Sequence, residues 1–331
     1  MPDREKVLVT GANGLLGSNI TRRLLAAGYE PVLYLRKGSN RLALKSIECK
    51  IVEGELDDIS CLQKAFEGCA YVIHCAAKTN QKGDFDDFMC INVICTECLI
   101  EMSKQYGIKR FIYISTANCF TAGSLDHPGN EASGFSPWLK HSGYAYSKYL
   151  AQQQVLDEFE KNGFPALVLA PTFLIGKGDA HISSGQLLLH GLKNRIVFYP
   201  PGGKSFVDAE LAAEATVNAL TKGIPGNCYM LAGENLSYKQ FFKIIKNNFN
   251  KKAVLIRLPG FVISPLAQLF SFIQWIFPIT LTFNKTNWRL LSLNNYFSNQ
   301  KARTELGLKQ TNTEKALKES YQWFKDNEYL H

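Results

Sequence analysis

Val7-Leu-Val-Thr-Gly-Ala-Asn-Gly-Leu-Leu-Gly17 decides how this chain is read. An apolar run stops at Gly11, and a helix over Leu15–Ala27 is predicted to start almost at once. Gly11 permits a tight turn out of the strand. Gly14 has no side chain to hold phosphates away from the backbone, and Gly17 lets the helix pack closely on the sheet. Around Asn13, Leu15 and Leu16 the helix start then offers unpaired N–H groups and a positive dipole end, which suit a pyrophosphate. Strand, glycine loop and helix in this order read as a dinucleotide-binding unit.

Working outward, β-branched runs alternate with helical stretches, the pattern of a parallel sheet with crossover helices. Strands are predicted over Val7–Val9, Pro31–Leu35, Cys49–Val52, Tyr71–Cys75, Phe111–Ser115, Ala166–Ala170 and Cys228–Ala232. Helices fall between them over Leu15–Ala27, Ile59–Phe66, Asn92–Tyr106 and Tyr144–Asn162, the last stopped by Gly163. The expected fold is α/β, a Rossmann-type doubly wound parallel sheet. After Pro171 the pattern loosens, and helices over Ala209–Lys222, Tyr238–Asn248 and Thr313–Asn327 recur without a regular strand partner. This reads as a smaller, mainly helical substrate-binding lobe. The boundaries follow: 1–172 for the cofactor domain, with a return around 203–232, and 173–202 with 233–331 for the lobe.

The end of the second strand meets the adenine ribose in such folds, where a carboxylate would repel a 2′-phosphate. Here the residues are Leu33-Tyr34-Leu35-Arg36-Lys37, without an acid. Arg36 can pair bidentately with a phosphate, and Lys37 or Arg41 can add charge. The plainer reading is an exposed basic turn. NADP(H) is the preferred cofactor, with NAD(H) as the alternative. After the fourth strand, His74-Cys75-Ala76-Ala77 and Lys78 let the backbone approach the cofactor ribose, unless the small residues serve packing alone.

Ketone reduction needs a hydride and a proton for the developing alkoxide. A free tyrosine is a poor base at neutral pH, but a nearby ammonium favours phenolate. Tyr144-Ala-Tyr-Ser-Lys148 puts a phenol and an ammonium on one helix face, one turn apart. A hydroxyl is wanted at the end of the fifth strand, and Ser115 and Thr116 both qualify.

The G-x-x-G-x-x-G spacing and the Tyr144/Lys148 pair resemble the short-chain dehydrogenase/reductase superfamily, in its extended form, the NAD-dependent epimerase/dehydratase group. The resemblance runs from Lys6 to about Asp326 and is specific over the first 175 residues. It implies that Thr116, directly before Ala117, is the active hydroxyl, with Ser115 beside it at the cofactor. It implies that Asn92 steadies a water near Lys148, against a helix-capping role. It also implies that Glu55 and Leu56 lie at the adenine, Glu55 replacing the usual aspartate, and that Pro171 and Thr172 lie beside the nicotinamide. Ser205-Phe-Val-Asp208 resembles an element returning to the sheet, and Tyr296–Gly307 a C-terminal segment of the group. Arg36, the His74–Ala77 run and the apolar Leu258–Phe277 lean toward the dihydroflavonol-reductase and 3β-hydroxysteroid-dehydrogenase branch. Two departures, Ala170 before the proline and Gln152 for a common glutamate, weaken a sugar-nucleotide reading. Ala117-Asn118 after Thr116, in place of an Asp-Glu pair, disfavours dehydration. The expected activity is NAD(P)-dependent ketone reduction or secondary-alcohol oxidation on a fairly apolar small molecule. A nucleotide-sugar epimerase with tightly bound NAD and a non-catalytic NADP sensor are the alternatives. Homodimerisation through helices such as Tyr144–Asn162 is a further implication.

The 331 residues are 46% hydrophobic and 20% charged, a globular composition. The net charge of +8 reads as spread along the chain, with no basic–aromatic run, so no nucleic-acid partner is expected. Nine scattered cysteines and a polar start at residues 1–6 suggest a reducing, cytoplasmic setting. Cys90, Cys95 and Cys98 match an iron–sulfur spacing, but on a helix they would point apart, and no metal is expected. Leu258–Phe277 carries no charge over 20 residues, but Pro259, Gly260 and Pro265 interrupt it. It is read as a buried or substrate-lining helix, with peripheral membrane contact as the alternative.

Overall fold

The computed structural model describes residues 4–79, 84–258 and 285–330. β1 (Lys6–Thr10) is apolar on both faces, as a strand covered on both sides must be: Val7 and Val9 enter one core, Leu8 the other. Past the glycine loop come α1 (Leu15–Ala26), β2 (Glu30–Leu35), β3 (Lys50–Glu53), α2 (Ile59–Phe66) and β4 (Cys69–His74). Asp58 starts α2 by accepting the Cys61 N–H at 3.1 Å. α3 (Phe85–Met89) runs through one π-helical turn, Cys90–Ile94, into α4 (Cys95–Gln105). β5 (Arg110–Ile114), α5 (Gly143–Asn162) and β6 (Ala166–Pro171) follow. Ser142 caps α5 by accepting the Ala145 N–H at 3.3 Å, and Gly163 ends it at φ 66°.

The large sheet has seven strands, all parallel, completed by β10 (Cys228–Leu231) in the order β10-β6-β5-β4-β1-β2-β3. This is the Rossmann-type α/β fold. The strand order reverses between β1 and β4, and the carboxyl ends of those strands flank the crevice that such sheets offer a ligand. α7 (Ala209–Lys222) returns the chain to the sheet and packs against α1.

The small lobe holds more strand than the sequence pattern suggests. β7 (Phe173–Ile175) and β9 (Gly203–Asp208) pair in parallel, and β9 also pairs with β11 (Glu234–Ser237) and the short β13 (Asn294–Asn295). β8 (Ile196–Tyr199) and β12 (Val254–Arg257) form a two-stranded parallel sheet. These strands are three to six residues long or shorter, too brief to show a period of two, so the helices around them dominate the pattern. Ser205–Asp208 belongs to this small sheet, and the return to the large one begins with α7. α6 (Gly185–Lys193), α8 (Tyr238–Asn248) and the C-terminal helix Thr313–Asp326 complete the lobe, while the helix Gln300–Leu306 packs on α7 and β10 of the large unit. Of Leu258–Phe277, all but the first residue lies outside the described residues.

One local expectation changes. Cys90 and Cys95 do not fan apart: the π turn between them brings the thiols close together, with Cys98 nearby, and burial pushes Cys95 up to about 12. Among the described residues no cluster of three or more metal-ligating side chains forms. No described helix is long and apolar enough to cross a membrane.

Candidate active site

The glycine loop is built by close approach. Gly11 turns at φ 67°, and a β-carbon on it would lie 2.6 Å from the Ala76 nitrogen, so the loop lies against the chain leaving β4. A β-carbon on Gly17 would lie 2.3 Å from the Gly11 carbonyl oxygen. The close packing expected of Gly17 is thus between α1 and its own loop rather than the sheet. Above Gly14 the space is open, with only the Gly11 oxygen 3.4 Å from a β-carbon. No side chain caps α1 and no acid stands in its first turn, so its N–H groups are available to an anion. Leu15 and Leu16 bury their side chains and can offer only backbone.

Asn13 reaches sideways, donating to the Asn40 carbonyl at 3.0 Å and meeting His181 Nε2 at 3.4 Å. Asn19 donates to the Lys177 carbonyl at 2.9 Å. Residues 177–181 of the lobe therefore strap across the start of α1, a contact with no local signature in the sequence. After β2, Arg36 is exposed and makes no ion pair among the described residues. Arg41, expected to add charge there, is taken by Glu53. The Ser39 hydroxyl oxygen beside this turn is covered and unpartnered. Glu55 is exposed and its carbonyl accepts the Tyr34 hydroxyl at 2.6 Å, while Leu56 packs against the core. An uncapped helix start and an open Gly14 fit the phosphates of a nicotinamide dinucleotide.

The His74 side chain turns into the core and leaves only its backbone toward the crevice. It is fully buried in β4, with Nδ1 2.7 Å from Thr10 Oγ1 and Nε2 3.0 Å from Thr96 Oγ1. The Ala76 N–H donates to Thr10 Oγ1 at 3.2 Å, and Thr96 donates to the Asn92 carbonyl at 2.8 Å. One proton order satisfies the series: Thr10 donates to Nδ1, and Nε2–H donates to Thr96. Burial, then the charge of Lys148, hold His74 down at about 3 against an ordinary 6.5. Below pH 6.5 the unfolded chain therefore takes up a proton that the folded chain refuses. The contribution is fully present above pH 6.5 and is lost as pH falls toward 3, at up to about 1.4 kcal/mol per pH unit. Urea midpoints of the wild type should fall more steeply from pH 6.5 to 4.5 than those of His74→Gln; parallel slopes would refute this role.

Asn92 also differs from expectation. Its Oδ1 accepts the Lys78 N–H at 2.7 Å, and its Nδ2 donates to the Lys78 carbonyl at 3.1 Å and to Ser147 Oγ at 2.9 Å. Three of the four hydrogen-bonding positions of the side chain clamp the Ala76-Ala77-Lys78 segment to α5. The Lys78 ammonium pairs with Asp87 at 2.6 Å.

Thr116, Tyr144 and Lys148 come together at the carboxyl end of β5. Gly143 lets α5 start against Phe88, where a β-carbon would come within 2.6 Å of the ring. The Thr116 hydroxyl lies close enough to the Tyr144 phenol to favour its ionised form. Lys148 is buried, donates to the Ile114 carbonyl at 2.6 Å and stands 4.0 Å from the Tyr113 ring centroid. Burial pushes the phenol up to about 12, opposed by the Thr116 hydroxyl. Burial likewise pulls Lys148 down to about 8. The ammonium was expected to lower the phenol, but in the free chain the opposition to desolvation comes from Thr116 and not from Lys148. Ser115 points elsewhere: its hydroxyl donates to Gln152 at 2.7 Å and lies 3.4 Å from Cys119 Sγ, so it is not free for a cofactor. Gln152 is thus a structural partner one turn beyond Lys148. Pro171 ends β6, and Thr172 donates both its N–H (3.1 Å) and its hydroxyl (3.3 Å) to the Leu231 carbonyl, which leaves only its surface beside the crevice.

The chain is 27% identical over 325 residues to sterol demethylase protein B of Methylococcus capsulatus, covering 96% of this chain and 98% of that protein. It is 25% identical over 343 residues to a 3-beta-hydroxysteroid dehydrogenase of Mycolicibacterium neoaurum, covering 98% and 92%. Among solved structures it superposes on gox2253 with a TM-score of 0.88 at 26% identity, over 99% of this chain and 100% of that one. The sequence profile of the NAD dependent epimerase/dehydratase family matches residues 7–232, which takes in the glycine loop and the large sheet from β1 to β10. Matched over more than half its length, the chain belongs to the NAD-dependent epimerase/dehydratase family of oxidoreductases.

Proposed function

We propose that this protein is an NADP-preferring oxidoreductase that interconverts a ketone and a secondary alcohol on a fairly apolar, ring-containing small molecule, with Tyr144 as the acid/base. One observation carries the reading: a phenol, a hydroxyl and an ammonium gather at the end of β5, beside the β4 exit on which the glycine loop rests. The α1 N-terminus, Gly14 and Arg36 would hold the phosphates of a nicotinamide dinucleotide, which would supply or accept the hydride. Thr116 donates to the substrate oxygen and sets it against Tyr144. With its proton held tightly, Tyr144 is poised as an acid, and it gives that proton to the oxygen as negative charge develops there. Lys148 then faces the phenolate with a positive charge, and in alcohol oxidation the same pair runs in reverse. The sterol demethylase protein and steroid dehydrogenase among the relatives favour a sterol-like skeleton.

The test supplies NADPH and NADH separately with steroidal, aromatic and terpenoid ketones and follows cofactor oxidation. Stoichiometric oxidation with a ring ketone is expected. A protein that retains NAD through purification and turns over no external cofactor would instead be an epimerase. Arg36→Ala should weaken NADPH about tenfold or more, the size of a charge-assisted contact, and leave NADH within about twofold. Equal losses in titrations of the two cofactors would count against the NADP assignment.

A further inference from the structure

The positive charge of this protein is not spread along the chain. Residues 180–207 and 235–304 contain thirteen lysines and arginines and no aspartate or glutamate. The remainder holds 24 basic against 29 acidic residues, so the whole surplus of +8 comes from these two segments, most of which lie in the small lobe.

On that lobe, β8 and β12 pair in register, Ile196 with Val254 and Phe198 with Ile256. Val197 and Tyr199 turn inward and are buried, and Leu255 packs on the same core. The alternate residues turn outward and stay exposed: Ile196 50%, Phe198 47%, Val254 57% and Ile256 39%. Four large apolar side chains on one outward sheet face exceed the isolated exposed residues a surface ordinarily carries. Lys193, Arg195, Lys251 and Lys252 lie at the end where both strands begin, and Arg257 lies at the other. All five are exposed, and none is ion-paired among the described residues.

We infer that the outer face of β8 and β12 is a docking surface for an anionic lipid bilayer. Apolar side chains ringed by basic ones match the acyl boundary and the negative headgroups above it. A second copy of the chain would bring two unopposed basic rims together, and a nucleic acid would leave Phe198 and Ile256 unused. The inference stands on the lobe surface alone and does not depend on the substrate proposed above. An enzyme seated there would work where apolar substrates concentrate.

The test is sedimentation of the full chain with vesicles of phosphatidylcholine alone and of phosphatidylcholine with about one third phosphatidylglycerol. Wild type should pellet with the anionic vesicles, be released by high salt, and stay in solution with the neutral ones. Phe198→Glu/Ile256→Glu and Lys251→Glu/Lys252→Glu should each lower vesicle binding about tenfold or more. Their thermal unfolding and NADPH titration should match wild type, since these side chains touch neither the core nor the crevice. Variants that pellet like wild type, or a wild type that ignores both vesicles, would overturn the inference. A dimer by analytical ultracentrifugation that Phe198→Glu dissolves would reassign the face to self-association, and retention on a single-stranded oligonucleotide would reassign it to nucleic acid.

Discussion

Tyr144→Phe is expected to lower kcat/KM by about a thousandfold or more, the scale of a lost general acid at the reacting oxygen. The substitution removes one hydroxyl and keeps the ring, so α5 and its contact with Thr116's strand should persist. NADPH affinity, set by α1, Gly14 and Arg36, should stay within about twofold of wild type. Steady-state oxidation of NADPH with the ring ketone found above, together with a fluorescence titration of the cofactor, separates the two readouts. Wild-type turnover in this variant would remove Tyr144 from the chemistry. A loss confined to cofactor affinity would make it a binding residue only.

Lys148→Met should produce two opposite effects. Activity should fall about a hundredfold or more, because the charge facing the phenolate is gone. Stability at pH 7 should rise by about 1 kcal/mol or more, because an ammonium held at about 8 instead of 10.5 is a charge buried at a cost. Its hydrogen bond to Ile114 and its seat over Tyr113 offset only part of that cost. The pH dependence gives a second check. Between pH 8 and 10.5 the unfolded chain holds a proton that the folded one has released, so wild-type stability rises across this window. Methionine has nothing to titrate, and its curve should lack that rise. A destabilised variant with the same rise as wild type would show that Lys148 is held for packing and not for charge.

These two residues were legible because their relation is local. Four positions on one helix share a face wherever the helix goes, and Gly11, Gly14 and Gly17 report a turn and a close approach within a single βα unit. All seven strands of the large sheet were likewise visible as apolar runs bounded by turns, within a residue or two of their ends. The neighbours of the site were less legible. His74 looked like part of a ribose-facing run, yet its position on β4 aims it at Thr96 and away from the cofactor. Ser115 and Thr116 are chemically alike, and only the direction in which each leaves the strand sends one to Gln152 and the other to Tyr144. Asn92 matched a motif, but the π turn around it delivers its amide to the backbone of Lys78. Arg41 was counted with Arg36 until the pairing of β2 with β3 brought Glu53 to it.

By itself the sequence determined the class of sheet, the phosphate loop and the phenol–ammonium pair, because periodicity, turn chemistry and helical spacing act over a few residues and survive any arrangement of the whole. Tertiary structure alone decided which way His74, Ser115 and Asn92 point. It also wove the short strands of the lobe together and set five exposed cations at the ends of an exposed apolar face. Those outcomes depend on strand register and on segments far apart in the chain, and no local pattern carries that information.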